Sequence, residues 1–386
     1  MPEDHPHSIF KLASSIEAVA AAQWEACAGS GNPFLGHAFL KALEESGSVG
    51  PGTGWRPAHL LLEDPGGDLI GAAPLYLKSH SLGEYVFDQG WAEAWERAGG
   101  RYYPKLQSAV PFTPVPGPRL LVRSGTNTAT IRAALARGLI AAAEELKVSS
   151  LHVTFAMPED IEALTAAGFL KRTGVQFRWE NRGYRSFEEF LDTLSSRKRK
   201  AIRKERAAVA EAGVTLRALH GPELTSRHWD LFFRFYISTS DRKWGSPYLT
   251  REFFDLLGAR LGKRVVLIFA ERKGQAVAGA LNLRGDNTLY GRNWGCSIDI
   301  PFLHFEACYY QAIDYAIAHG LARVEAGAQG EHKIQRGYLP VETASAHWIA
   351  DPGFRKAVAD FLKRERAAVK RDIAALNELS PYREGG

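Results

Sequence analysis

Cysteine is scarce in this chain of 386 residues, and what there is does not pair by spacing. Cys27, Cys296 and Cys308 stand far apart with no C-x-x-C arrangement. Neither a disulfide framework nor a zinc knuckle is expected, and reduced thiols are the default. Long apolar runs are missing as well: nothing approaches the ~20 apolar residues that a helix needs to cross a bilayer. The opening MPEDHPHSIF is acidic and histidine-rich and lacks a basic segment followed by an apolar one, so it does not read as a signal peptide. The cytoplasm is the expected compartment. Charge of one sign is only mildly in excess. The net value is +5 and the pI about 9.0, which suits an anionic partner such as RNA, a nucleotide cofactor or a membrane surface without requiring one.

What is present is enough chain for two hydrophobic cores. Hydrophobic content of 45% and charged content of 24% belong to a folded protein. The order of local signals repeats. In the first half, the β-type run PGPRLLV (116–122) precedes a helical pattern in which Ile131, Leu135, Leu139 and Leu146 share one face. A strand LHVTF (151–155), a short helix PEDIEALTAAGF and a strand GVQFRW (174–179) follow. In the second half, NTLYGRNWG (287–295) alternates like a strand, and residues 304–320 read as a helix stopped by Gly320. ARVEAGA (322–328) is the next strand. Each copy has an upstream hairpin, at 59–77 and 265–284, and each ends on Gly-aromatic, Gly168-Phe169 and Gly337-Tyr338. The expected fold class is α/β (α+β), two lobes each with a mixed, largely antiparallel sheet flanked by helices. Lobe one is 1–182; lobe two is 183–386, with a basic helix over 195–211 and a C-terminal helix.

The order hairpin, long helix, strand, short helix, Gly-aromatic resembles the N-acetyltransferase (GNAT) fold in tandem. Longer stretches are more specific: WRPAHLLL, PLYLKSHSLGEYVFDQGWAEA, YYPKLQSAVPFTP, RKWGSPYLTREFF, LHFEACYYQAIDYAIAHGL and EAGAQGEHKIQRGYLPV. In these the chain is similar to the bacterial FemAB-like family, associated with peptidoglycan biosynthesis or recognition. That resemblance implies a transferase, an N-acyltransferase moving an aminoacyl group from charged tRNA to an amine of a cell-wall precursor or similar peptide. Acyl-coenzyme A is the alternative donor, and a module that only recognises such a precursor is the alternative outside enzymes. No tightly bound cofactor is implied. The implied partners are an acceptor with a free amine, tRNA, and membrane-linked precursors met peripherally. Acetyltransferases hold the coenzyme A pyrophosphate with a glycine-rich turn before the long helix. CSIDIPFLHFE has no glycine there, and RSGTNTAT in the first lobe has one and misses the pattern.

Several stretches are candidates for chemistry. EAGAQGEHKIQRGYLP (325–340) is dense in charge and punctuated by glycine. Attack of an amine on an ester or thioester needs a base and a stabilised oxyanion. Glu325, Glu331 or His332 can serve as the first, with His304 at the start of the long helix as a further base; Lys333 or Arg336 can serve as the second, and Gln329 lies between. A mutually neutralising surface network remains the plain alternative. A metal site from His304, Glu306, Glu325 and His332 has no ligand spacing, so no metal is expected. DRKWGSPYL offers Arg242, Lys243 and Trp244 for an anionic substrate, or a structural turn. Tyr290, Arg292 and Trp294 alternate on one strand and are expected to face one way. In the first lobe, His80, Tyr103 and Lys105 are candidate substrate contacts. His80, Glu84 and Asp88 would share a face on a helix, but Gly83 and the run YVF favour a strand or loop. RKRKAIRKER puts Arg199, Lys200, Arg203 and Lys204 on one basic helix, suited to tRNA phosphates or lipid headgroups, or simply to water.

Overall fold

A computed structural model describes residues 9–243, 247–327 and 330–383. In chain order the elements begin with β1 (Ile9–Ala13), α1 (Ala21–Ala28), α2 (His37–Glu45), β2 (Trp55–Pro57), β3 (His59–Glu63), β4 (Leu69–Ala73) and β5 (Leu75–Lys78). Then come α3 (Gln89–Arg97), β6 (Lys105–Ser108), β7 (Leu121–Val122), α4 (Thr128–Glu145), β8 (Ser150–Ala156), α5 (Pro158–Ala166) and β9 (Leu170–Glu180). The next are α6 (Phe187–Asp192), α7 (Ser196–Glu211), β10 (Val214–Leu219), α8 (Ser226–Lys243), α9 (Arg251–Leu261), β11 (Val265–Arg272), β12 (Gln275–Arg284) and β13 (Thr288–Cys296). The last are α10 (Leu303–Phe305), a π turn (Glu306–Tyr310), α11 (Gln311–Ala318), β14 (Arg323–Glu325), a 3₁₀ turn (Glu331–Arg336), β15 (Leu339–Ile349) and α12 (Pro352–Glu378).

The chain divides into two compact units. One takes the chain up to Gly174 together with Glu342–Lys370; the other takes Val175–Val341 and the chain from Arg371. The expected lobes are contiguous in sequence, whereas these units are not. The long strands β9 and β15 each begin in one unit and end in the other.

In the first unit, a small antiparallel sheet runs β1-β3-β4-β7, and a second runs β15-β8-β6-β5-β2 with β6 and β8 parallel. Helix α4 starts at Asn127, whose side chain accepts from Thr130 N at 3.2 Å and satisfies one of the free donors of the first turn. Its Leu135, Leu139 and Ala142, spaced for one face, pack with Leu164 of α5 against Leu75, Leu106, Leu151 and Val153. The strands alternate, so the opposite sheet face carries Tyr76, Lys78, Lys105, Gln107, His152 and His347, all buried. PGPRLLV yields only the two-residue β7.

In the second unit the order is β10-β11-β12-β13-β14-β9, with β13 and β14 parallel. Leu289, Val324 and Trp179 pack against Ala312, Ile313 and Ala316 of α11. Both units therefore have the tandem GNAT-like layout, a mixed and largely antiparallel sheet flanked by helices, with a parallel strand pair in each. The expected helix over 304–320 is interrupted: α10, the π turn and α11 share that span.

Candidate active site

The densest cluster of candidate side chains in the second unit lies where α10 and the π turn meet the 3₁₀ turn. His304 and His332 have ring centroids 6.2 Å apart, and His304 also touches Trp294 (5.4 Å) and Tyr309 (5.4 Å). Tyr309 Oη and His332 Nε2 are hydrogen-bonded at 2.9 Å. His332 is exposed and Tyr309 buried, so the imidazole is anchored from within and open outward. Gly330 makes this possible. Its φ is +108°, and a Cβ there would stand 2.4 Å from the His332 ring. Placement of a π turn in this helix is itself a common mark of functional helices.

The two cations of the segment behave differently. Arg336 is committed: Nη1 donates to His332 O (2.8 Å), Nη2 to Glu205 Oε1 (2.7 Å), and the guanidinium lies 3.4 Å from the Phe305 ring centroid. It holds the His332 backbone. Lys333 is buried, and Nζ donates to Gly327 O at 3.2 Å, with no carboxylate partner among the described residues. Burial pulls its pKa down to about 8. An ammonium has three donors, so two are unspent among the described residues. Glu331 is exposed, and Gln329 lies outside the described residues.

Glu325 is not part of this gathering. On β14 it pairs with Tyr290 and Arg178, and the alternation puts all three on the sheet face opposite Val324, Leu289 and Trp179, which meet α11. Lys333 lies over Phe177, on the α11 side. Burial pushes the Glu325 pKa up to about 7 against the pull of Arg178 and Arg323, and its Oε2 is buried without a hydrogen-bond partner. Burial, then Glu325, raises Tyr290 to about 12. The expectation that Tyr290, Arg292 and Trp294 face one way is overturned by a β-bulge. Asn282 pairs with Gly291 and Leu281 with Asn293, leaving Arg292 as the extra residue. Tyr290 therefore shares a face with Glu325, and Trp294 lies on the other with His304.

Of the basic helix, Ile202 and Val209 are buried on the inner face of α7. Arg199 pairs with Asp192 (3.3 Å) and Arg203 with Glu188, while Lys200 and Lys204 are exposed. Trp244 and the side chains of Arg242 and Lys243 lie outside the described residues.

The first-unit candidates belong to a buried polar network that sequence reasoning saw only in part. His80 is half-buried, its Nε2 within hydrogen-bond distance of Thr53 O (3.0 Å). Tyr103 Oη meets Ser81 Oγ at 2.8 Å. Lys105, fully buried, donates to Ser81 Oγ (2.8 Å), Glu84 Oε2 (2.7 Å) and Asp88. The network continues from Asp88 to Tyr102 (2.7 Å), and His152 and His347 share a 2.7 Å Nδ1 contact. Burial pulls Lys78 down to about 7, pushes Glu84 up to about 7 and takes His152 down to about 3, so the imidazole is neutral. Burial works to raise Asp88, but Lys105 and His152 outweigh it and hold the carboxyl well below its ordinary range. Glu84 and Asp88 thus converge from an irregular segment rather than along a helix. Polar residues at every second position of otherwise apolar strands (Lys105 and Gln107; Ser150, His152 and Thr154) were the signal available for this face. Tyr309 and Glu205, the anchors of His332 and Arg336, had none.

Among the described residues, no three His, Cys, Asp or Glu side chains come together as metal ligands, and no helix is long and apolar enough to cross a membrane. Among curated proteins none matches the sequence. Solved structures do match in fold. One is FemX, at 12% identity and TM-score 0.56, covering 92% of this chain and 100% of that one. Another is L-PGS from Bacillus licheniformis, at 11% identity and TM-score 0.51, covering 86% of this chain and 98% of that one. The sequence profile of FemAB-like proteins, described as peptidoglycan biosynthesis/recognition, matches residues 15–384. With nearly the whole length matched and the tandem layout in place, the chain belongs to the FemAB-like family.

Proposed function

We propose that the protein is an N-acyltransferase that passes an aminoacyl group from charged tRNA to the amine of a cell-wall precursor or similar peptide, with the chemistry in the second unit. The observation that carries this reading is Lys333, a buried ammonium with one carbonyl acceptor and no carboxylate partner among the described residues, next in sequence to an exposed, anchored histidine. His332, held at Nε2 by Tyr309 Oη and exposed, is the base that can take the proton of the attacking amine. The Lys333 ammonium then stabilises the oxyanion that develops on the ester carbonyl; its collapse breaks the ester C–O bond, and the ribose hydroxyl of the tRNA leaves with the proton that His332 took. Arg336 is a positioning residue that fixes the His332 backbone. The family and the resemblance of the long motifs support acyl transfer to a peptidoglycan-type acceptor; the missing glycine-rich turn before α10 favours a tRNA-borne donor over coenzyme A.

Donor titration across a salt series tests the reading. Charged tRNA should bind more tightly than uncharged tRNA at moderate salt, because phosphate contacts weaken with salt and do not sense the ester. Saturable acetyl-coenzyme A binding without that preference would replace the donor, and binding of neither would leave a recognition module. In turnover, Lys333→Met should lose roughly 100-fold. The charged amine is the working form, so the wild-type rate should fall as pH rises through about 8. Lys333→Arg should push that fall to higher pH. An unchanged alkaline limb in the arginine variant would remove Lys333 from the mechanism.

A further inference from the structure

A cavity of about 250 Å³ lies wholly within the first unit, apart from His332, Lys333 and Arg336, although Tyr103, a candidate substrate contact in the sequence, is part of its wall. Pro104 and Ser149 stand just before β6 and β8, and Ala350 and Asp351 just after β15, so the pocket opens at the end where the parallel strands begin. Its wall is aromatic. Trp95 stacks on Phe354 with centroids 4.8 Å apart and planes 16° from parallel. The indole lies against Gly100, where a Cβ would stand 2.1 Å from it, so only glycine permits this placement. Tyr103 adds a third ring whose hydroxyl is tied to Ser81.

The rim supplies charge. Arg101 and Lys147 are exposed lining residues, and neither makes an ion pair among the described residues. Lys147 has φ +51°, just past the end of α4, a left-handed position that glycine usually fills. Asp351 commits Oδ1 to Phe354 N (2.7 Å).

We propose that this pocket binds a small carboxylate carrying a flat ring, with the ring against Trp95 and Phe354 and the carboxylate between Arg101 and Lys147. The charges decide the class: two cations less one carboxylate leave +1, which matches a monoanion and not a polyphosphate. Size favours a small ligand as well, the volume lying below the ~300–1,000 Å³ of sites that enclose drug-sized ligands. The inference does not depend on the acyl-transfer reading.

Fluorine NMR on the full chain tests it with three probes: para-fluorobenzoate, para-fluorobenzyl alcohol (ring without charge) and trifluoroacetate (charge without ring). Para-fluorobenzoate should saturate at concentrations where the other two do not. Arg101→Gln and Lys147→Gln, both at exposed positions and checked for fold by circular dichroism, should each weaken it about tenfold. Equal behaviour of the three probes, no saturation by para-fluorobenzoate, or undiminished affinity in both variants would overturn the proposal.

Discussion

At the scale of single residues, small changes of shape or charge have disproportionate reach. Gly330→Ala adds one methyl group, but at φ +108° and 2.4 Å from the His332 ring it must displace the imidazole. Turnover should fall by roughly tenfold or more, with a loss of stability of about 1–3 kcal/mol for a side chain forced into so sparsely populated a backbone region. Loss of fold with no separable effect on rate would contradict the assigned role. Glu325 gives a sign-definite test. Its folded pKa of about 7 lies above its ordinary 4.5, so the folded chain holds an extra proton between those values. Stability from this group is therefore lost as pH rises through that window. Glu325→Gln, neutral throughout, should gain stability relative to wild type between pH 5 and pH 8 in urea unfolding. A constant offset would mean that the carboxyl is not perturbed. The charge density of 325–340 was legible in sequence, but which side chains meet was not: Glu325 and Lys333 are eight positions apart and lie on opposite sheet faces, a separation set by strand register.

At the scale of elements, period explains what could be read and irregularity what could not. The apolar face of α4 was visible in Ile131, Leu135 and Leu139, and it packs as that spacing requires. Leu139→Ala, at a fully buried site, should cost about 2–5 kcal/mol in denaturant unfolding. A cost below 1 kcal/mol would mean that the site collapses around the smaller side chain. The polar sheet face of the first unit predicts a different mechanism of loss. Lys105→Met leaves Glu84 and Asp88 buried without their main cation, an expected penalty of about 3–5 kcal/mol. Lys105→Met with Glu84→Gln and Asp88→Asn should recover part of it, and failure to recover any would show that the charges are not coupled. The bulge at Arg292 and the π turn had no clear signal, since one inserted residue changes geometry without changing composition.

At the scale of the whole molecule, the strands β9 and β15 matter most. A fragment ending at residue 182 keeps β8 but lacks the Ala344–Ile349 stretch that pairs with it, as well as Phe354, Val358 and Leu362 of α12. It should be insoluble or lack cooperative unfolding, and adding 342–370 in trans should restore structure by circular dichroism. A cooperative 1–182 fragment would show that the late segment is dispensable. The tandem arrangement was legible because the order of elements repeats; the exchange of strand segments was not, because local pattern carries no record of which sheet a strand joins. That exchange bears on descent. A lobe whose pieces come from separate stretches of the gene cannot be lifted out intact as one contiguous stretch of that gene.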